Sequence, residues 1–131
     1  MTEVAGRLLI VDDDEDILHA AELYLKRYGL TVLTEKNPAR IPSLLSDGEY
    51  DIILLDMNFT KDVSSGKEGL HWLKKIIEID PDAVVVMITA FGDIELSVEA
   101  IKAGAFDFIQ KPWQNEKLLG TIMAEIGRAH V

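Results

Sequence analysis

Short apolar runs alternate along this chain with segments whose apolar residues recur every three or four positions, and the alternation repeats five times. Leu8-Leu9-Ile10-Val11, Ile52-Ile53-Leu54-Leu55 and Val84 to Ile88 are unbroken runs, the pattern of parallel strands covered on both faces. Thr31 to Thr34 reads as a short β-branched strand, and Phe106 to Ile109 as a short fifth strand. Ile17, Leu18, Ala21, Leu25 and Tyr28 stand at helical spacing after the first strand, closed by Gly29. Pro38 opens a weaker helix that runs through Leu45. Leu70, Leu73, Ile76 and Ile77 mark a third helix, and Pro81 breaks the chain before the fourth strand. Ile94, Val98 and Ile101 line the fourth helix, with Gly104 as its stop. Leu118, Leu119, Ile122 and Ile126 line the fifth. Five such βα units with right-handed crossovers predict one parallel sheet with helices on both faces. No repeat beyond this alternation and no interdomain linker is visible.

The polar residues gain meaning from where the strands stop. The first run ends in Asp12-Asp13, the third in Asp56, the fourth in Thr89, and the fifth is followed shortly by Lys111. Ligands of open α/β sheets bind beyond the carboxyl ends of the strands, so three carboxylates, a hydroxyl and an amine are expected to converge at one edge. Carboxylates a few ångströms apart repel, by roughly 4 kcal/mol for a pair at 4 Å and an effective dielectric of ~20. A divalent cation removes that penalty, and Mg²⁺ favours oxygen donors. This is the layout of a metal-dependent site that accepts a phosphoryl group. Each residue alone has a plainer reading: Asp56 as a helix cap, Thr89 as a β-branched strand residue, Lys111 as a surface lysine, Asp14 or Asp16 as the cap of the first helix. The four strand ends taken together outweigh those readings. His19, His71 and His130 fall away from the predicted edge and read as helix-surface residues. Trp72 and Trp113 read as packing or surface aromatics.

Composition narrows the class. With 131 residues, 48% of them hydrophobic, the chain suits one ordered domain with its own core. It has no cysteine, which excludes disulfides, thiolate metal sites and cysteine nucleophiles. Its longest apolar stretch is far short of the ~20 residues of a membrane helix. The start, Met1 to Gly6, lacks the apolar core of a signal peptide, so the cytoplasm is the expected location. A net charge of −10, concentrated in Asp12-Asp13-Asp14-Glu15-Asp16, repels phosphate backbones and argues against direct nucleic-acid binding by this domain.

Leu9-Ile10-Val11-Asp12-Asp13, Ile53-Leu54-Leu55-Asp56-Met57, Met87-Ile88-Thr89-Ala90 and Phe108-Ile109-Gln110-Lys111-Pro112 stand in an order and at separations that resemble the receiver domain of two-component response regulators. The resemblance covers nearly the whole chain, and the joint pattern is far more specific than any one motif. The stretch from Thr89 through Phe108 is similar to the NtrC-type group in particular, whose members carry an AAA+ ATPase and a DNA-binding domain after the receiver. The resemblance implies a flavodoxin-like (βα)5 three-layer sandwich with a five-stranded parallel sheet in the order 2-1-3-4-5. It implies that Asp56 is the phosphoacceptor. Asp12, Asp13, Asp56 and the backbone carbonyl of Asn58 would hold Mg²⁺. Thr89 and Lys111 would contact the phosphoryl group, Thr89 and Phe108 would form the conformational switch, and the Lys111–Pro112 bond would be cis.

The partners implied are a sensor histidine kinase, as phosphohistidine donor, and a covalently attached output domain serving transcription regulation. Residues 1–131 would form the receiver, with the output domain following residue 131. A homodimer through the fourth helix, fifth strand and fifth helix is also implied, with Asp93, Glu95, Glu99, Lys102, Glu116 and Lys117 offering mixed charges. Catalysis is expected only of the domain's own phosphorylation and dephosphorylation. Phe91, two positions after Thr89, is expected either to keep an attacking water from the acyl phosphate or to point away and pack on the fourth helix.

One segment departs from the family pattern. The loop after the aspartate usually carries Pro and closes on a Gly, whereas here Pro is missing and the matching Gly69 stands 13 positions beyond Asp56. Asp56-Met57-Asn58-Phe59-Thr60 also resembles the Asp-x-Asp-x-Thr motif of haloacid-dehalogenase-type phosphohydrolases. In those enzymes the second aspartate is the general acid and base, and here that position is Asn58.

Overall fold

The computed structural model describes residues 6–57, 59, 67–90 and 94–129. Five parallel strands form one sheet in the order β2-β1-β3-β4-β5: β1 Gly6–Val11, β2 Leu30–Glu35, β3 Ile52–Asp56, β4 Val85–Ala90 and β5 Asp107–Lys111. The helices are α1 Glu15–Lys26, α2 Ile41–Asp47, α3 Lys67–Ile79, α4 Ile94–Ala103 and α5 Asn115–Ala129, with a single 3₁₀ turn Pro38–Arg40 leading into α2. This is the flavodoxin-like order expected from the sequence.

Alternation along the central strands divides the core into two layers. Leu8, Ile10, Ile52, Leu54, Val86 and Ile88 face Leu18, Ala21 and Leu25 of α1 and Leu118, Ile122 and Ile126 of α5. Leu9, Val11, Ile53, Leu55, Val85 and Met87 face the other way, against Ile41 of α2, Leu73 and Ile76 of α3 and Ala100 of α4. The central strands β1, β3 and β4 carry unbroken apolar runs because both of their faces are covered. The register pairs Val11 with Leu55 and Asp56 with Ile88, which brings the carboxyl ends of β1, β3 and β4 level.

Asp14 is the N-cap of α1, its side chain accepting hydrogen bonds from the amides of Asp16 and Ile17 at 3.0 and 3.3 Å. Glu15 and Asp16 then occupy the first turn, where the helix dipole favours negative charge. Gly29 closes the turn after α1 with φ +83°, a conformation that favours glycine.

Three sequence expectations shift. The apolar stripe of α4 faces outward: Ile94, Val98 and Ile101 are 68, 47 and 42% exposed, and the helix docks instead through the small residues Ser97 and Ala100. Strand β5 starts and ends later than Phe106 to Ile109, because Phe106 gives only its amide, to the Val85 carbonyl at 2.8 Å, and Lys111 is still within the strand. Tyr28, placed on the buried stripe of the first helix, lies past its end and is 40% exposed. Among the described residues no helix is long and apolar enough to cross a membrane.

Candidate functional site

The carboxylates and the lysine singled out at the strand ends do meet. Asp12 follows β1 directly and is fully buried, Asp56 ends β3 at 4% exposure, and Thr89 lies in β4 at 1%. Asp12, Asp13 and Asp56 can each offer a carboxylate oxygen such that all three atoms lie within 4.8 Å of one another. Lys111, the last residue of β5, brings its Nζ to 3.3 Å from Asp56 Oδ1, to which it donates a hydrogen bond, and to 2.8 Å from Asp12 Oδ2. The second contact is an ion pair, and Asp12 Oδ2 has no hydrogen-bond donor among the described residues. The other oxygen, Oδ1, accepts from the Asp14 amide at 3.0 Å, which fixes the carboxylate plane and ties it to the cap of α1.

The electrostatics follow from this crowding. Burial alone would lower the Lys111 ammonium, but its close contact with Asp12 and the charges of Asp56 and Asp12 outweigh that and hold its pKa above the ordinary lysine value. Lys111 is therefore a fixed cation at neutral pH. Asp13 is pushed the other way from a normal carboxylate: burial first, and then the negative charge of Asp12, raise its pKa above 3.8. One lysine does not balance three carboxylates, and the excess negative charge is what a hard cation with oxygen preference would neutralise. The donor set is all carboxylate, so it fits Mg²⁺ in chemistry. Thr89 Oγ1 is buried with no hydrogen-bond partner among the described residues, which suits a hydroxyl kept for a ligand on this edge.

The remaining predicted residues divide. Phe108 sits in β5 beside Met87 of β4 and is 38% exposed, so the aromatic of the predicted switch pair points largely outward while Thr89 is buried. The Lys111–Pro112 peptide bond is cis. Asn58, Phe91 and Asp93 lie outside the described residues, as do residues 60–66 of the long loop and His130. His19 and His71 are exposed helix residues away from the site, and His71 packs edge-on against Trp72 with ring centroids 4.9 Å apart. Trp113 is half-buried against the α1–α5 core layer and, with Asp16, Ile17, Ala20, Lys111 and Pro112, lines a surface cavity of about 440 Å³. Sequence reading gave no sign of that cavity, whose lining comes from two distant segments. It also passed over Glu125, a carboxylate 2% exposed between Ile122 and Ile126 on α5.

Comparison with known proteins falls on one family. The family model described as the response regulator receiver domain matches residues 8–123. The C4-dicarboxylate transport transcriptional regulatory protein DctD of Rhizobium meliloti (strain 1021) is 32% identical over 115 residues, covering 88% of this chain and 24% of DctD. The response regulator protein PilR of Pseudomonas aeruginosa is 36% identical over 106 residues, covering 81% of this chain and 23% of PilR. The chain thus spans about a quarter of the length of these relatives. Among solved structures, the N-terminal signal receiver domain of a two-component response regulator from Bacteroides fragilis superposes with TM-score 0.82 at 40% identity, covering 93% of this chain and 97% of that one. NtrX from Brucella abortus, in complex with ADP, superposes with TM-score 0.86 at 28% identity, covering 96% of this chain and 27% of NtrX.

Proposed function

We propose, from the premise that this chain belongs to the response-regulator receiver domain family, that Asp56 accepts a phosphoryl group in a Mg²⁺-dependent reaction and that the change is passed to an output domain. The observation that carries this reading is the convergence of Asp12, Asp13 and Asp56 within 4.8 Å beside the Lys111 ammonium. A cation bound by the three carboxylates would neutralise the incoming phosphoryl oxygens. Asp56 supplies the nucleophilic oxygen, giving a high-energy acyl phosphate. Lys111 offers a charged donor and Thr89 an uncommitted hydroxyl to an anion of about −1.5 to −2 charges. The carbonyl of Asn58 would complete the protein's ligands.

The donor in this reading is phosphohistidine on a sensor histidine kinase, because the sequence has no nucleotide-binding loop, and the cytoplasm is where the two would meet. The output domain lies beyond residue 131 and serves transcription regulation. An AAA+ ATPase followed by a DNA-binding domain is the arrangement the NtrC-type likeness favours, and the quarter-length match to transcriptional regulators supports it. The receiver would catalyse only its own phosphorylation and dephosphorylation. The haloacid-dehalogenase reading finds no support in the comparisons, and Asn58 stands where that chemistry needs a second aspartate.

The output surface in this reading is α4, β5 and α5. Ile94, Val98 and Ile101 of α4 are exposed together with Phe106 and Phe108. Glu95, Glu99 and Lys102 share this helix with them, so an isologous pairing could bury the apolar stripe and match unlike charges. Thr89 and Phe108 would switch it, two packings competing for one pocket.

Acetyl phosphate with Mg²⁺ is expected to add one phosphoryl group, read by intact mass. Asp56→Asn is expected to abolish the addition, as is EDTA with the wild type. Undiminished labelling of Asp56→Asn would remove the assignment.

A further inference from the structure

We infer that Gly69 is a positioning residue for the site. It fixes the backbone that leaves Asp56 by letting α3 rest on Met57 at a distance no other residue permits. The inference rests on the metal and phosphoacceptor reading above. The contact is unusually close. A Cβ built on Gly69 would lie 2.4 Å from Met57 Cα, 2.6 Å from Met57 O and 2.8 Å from Met57 C. All three are backbone atoms, so no rotation of a side chain can relieve the overlap. The Gly69 amide donates to the Met57 carbonyl at 2.9 Å. Gly69 is the third residue of α3, and its amide is one of the first-turn donors that a helix leaves without an internal partner. The helix start and the residue after the phosphoacceptor thus satisfy each other.

Met57 is held from its other end as well. Its amide donates to the Ile88 carbonyl of β4 at 2.9 Å, and its side chain is fully buried in the α2–α3–α4 core layer. With amide, side chain and carbonyl all fixed, little freedom remains in the backbone between Asp56 and the next residue. Asn58, the proposed carbonyl ligand, is joined to that held carbonyl carbon by its peptide bond. The length of the intervening loop then matters little to the site, because both of its ends are pinned at Met57 and Gly69. A methyl group at residue 69 would push α3 and Met57 apart by a good fraction of an ångström. Misplacements on that scale cost up to about a hundredfold in rate at sites that depend on orientation.

The test uses three proteins: wild type, Gly69→Ala, and Leu25→Ala, a cavity variant in the opposite core layer where Leu25 is fully buried. Mg²⁺ affinity is read by tryptophan fluorescence and labelling rate by acetyl phosphate with intact mass. Folding is checked by circular dichroism and thermal melts. Gly69→Ala is expected to weaken Mg²⁺ at least tenfold and slow labelling at least tenfold. Leu25→Ala is expected to lose as much thermal stability while keeping both values within twofold of wild type. A folded Gly69→Ala with wild-type Mg²⁺ affinity and labelling overturns the inference alone, as does an equal loss in Leu25→Ala. A wild type indifferent to Mg²⁺ overturns the metal reading and this inference with it. If Gly69→Ala does not fold, the wild-type amides decide. Saturating Mg²⁺ is then expected to slow hydrogen exchange at Gly69 at least tenfold more than at Gly127 on α5, and equal changes would overturn the positioning role.

Discussion

Asp13 shows how a single residue can be unfavourable for folding and still belong to the design. Its raised pKa, from burial and then from Asp12, means that the folded state holds a proton on it more tightly than the unfolded chain does. The stability this lends is fully present below the unfolded value near 3.8 and is lost as pH rises through the higher folded value. At neutral pH, without metal, Asp13 therefore opposes folding. Because the group is only partly buried, solvent screening holds the effect to about 1 kcal/mol. Asp13→Asn in EDTA is expected to melt about 2–5 °C higher than wild type at pH 7, with the gain shrinking as pH falls toward 4. Added Mg²⁺ is expected to stabilise the wild type and leave the variant nearly unmoved, as differential scanning calorimetry would show. A lower melting temperature for the variant at pH 7 would mean that burial and like-charge repulsion do not dominate there. Asp12, Asp13, Asp56, Thr89 and Lys111 were legible in the sequence for a physical reason. Each sits at or just past the end of a strand-like run, and in a parallel sheet those ends share one edge. Gly69 could be matched in sequence but not explained, because the backbone of Met57 that requires it lies across a loop of variable length.

At the level of elements, the strands were the easier part, since a double-sided parallel sheet leaves long apolar runs with sharp ends. Helix α4 was misleading because its apolar residues at positions 94, 98 and 101 have the spacing of a core face, yet Ser97 and Ala100 make the contact. Periodicity reports that a helix has an apolar face but not that the face is inside. The turn from α4 into β5 depends on another glycine. Gly104 adopts φ +120°, and a Cβ there would lie 2.3 Å from Cδ1 of Ile77 on α3. Unlike the overlap at Gly69, this one involves the movable tip of a side chain. Gly104→Ala should therefore combine about 1–3 kcal/mol of backbone strain with about 1 kcal/mol or more of overpacking. In an Ile77→Ala background only the strain should remain, so the penalty measured by urea denaturation is expected to shrink by about 1 kcal/mol. An identical penalty in both backgrounds would mean that the side-chain overlap contributes nothing.

The whole molecule presents two unlike surfaces around one sheet. Beyond the carboxyl ends lies the charged site, and beside it along β5 and α4 lies the apolar surface that includes Phe106 and Phe108. Charge patterning alone could indicate the first, because acidic residues cluster in sequence. The resemblance implied the second face by its charges, but its apolar character was hidden, since the apolar members are scattered from Ile94 to Phe108 and look like core residues one at a time. An apolar stripe left exposed on a domain of net charge −10 is the expected place for contact with a second copy or an attached domain. If phosphate biases the packing of Thr89 and Phe108, a ligand that favours one packing shifts the association through this surface. Beryllofluoride with Mg²⁺ is expected to change both the sedimentation coefficient and the NMR environment of Phe108. Ile101→Asp is expected to melt within about 0.5 kcal/mol of wild type, as surface substitutions do, yet to sediment as a monomer under the same conditions. The change at Phe108 should persist in that variant, since the switch lies upstream of association. A variant that still dimerises would move the interface elsewhere, and a wild type with both observables unchanged would uncouple the site from this face.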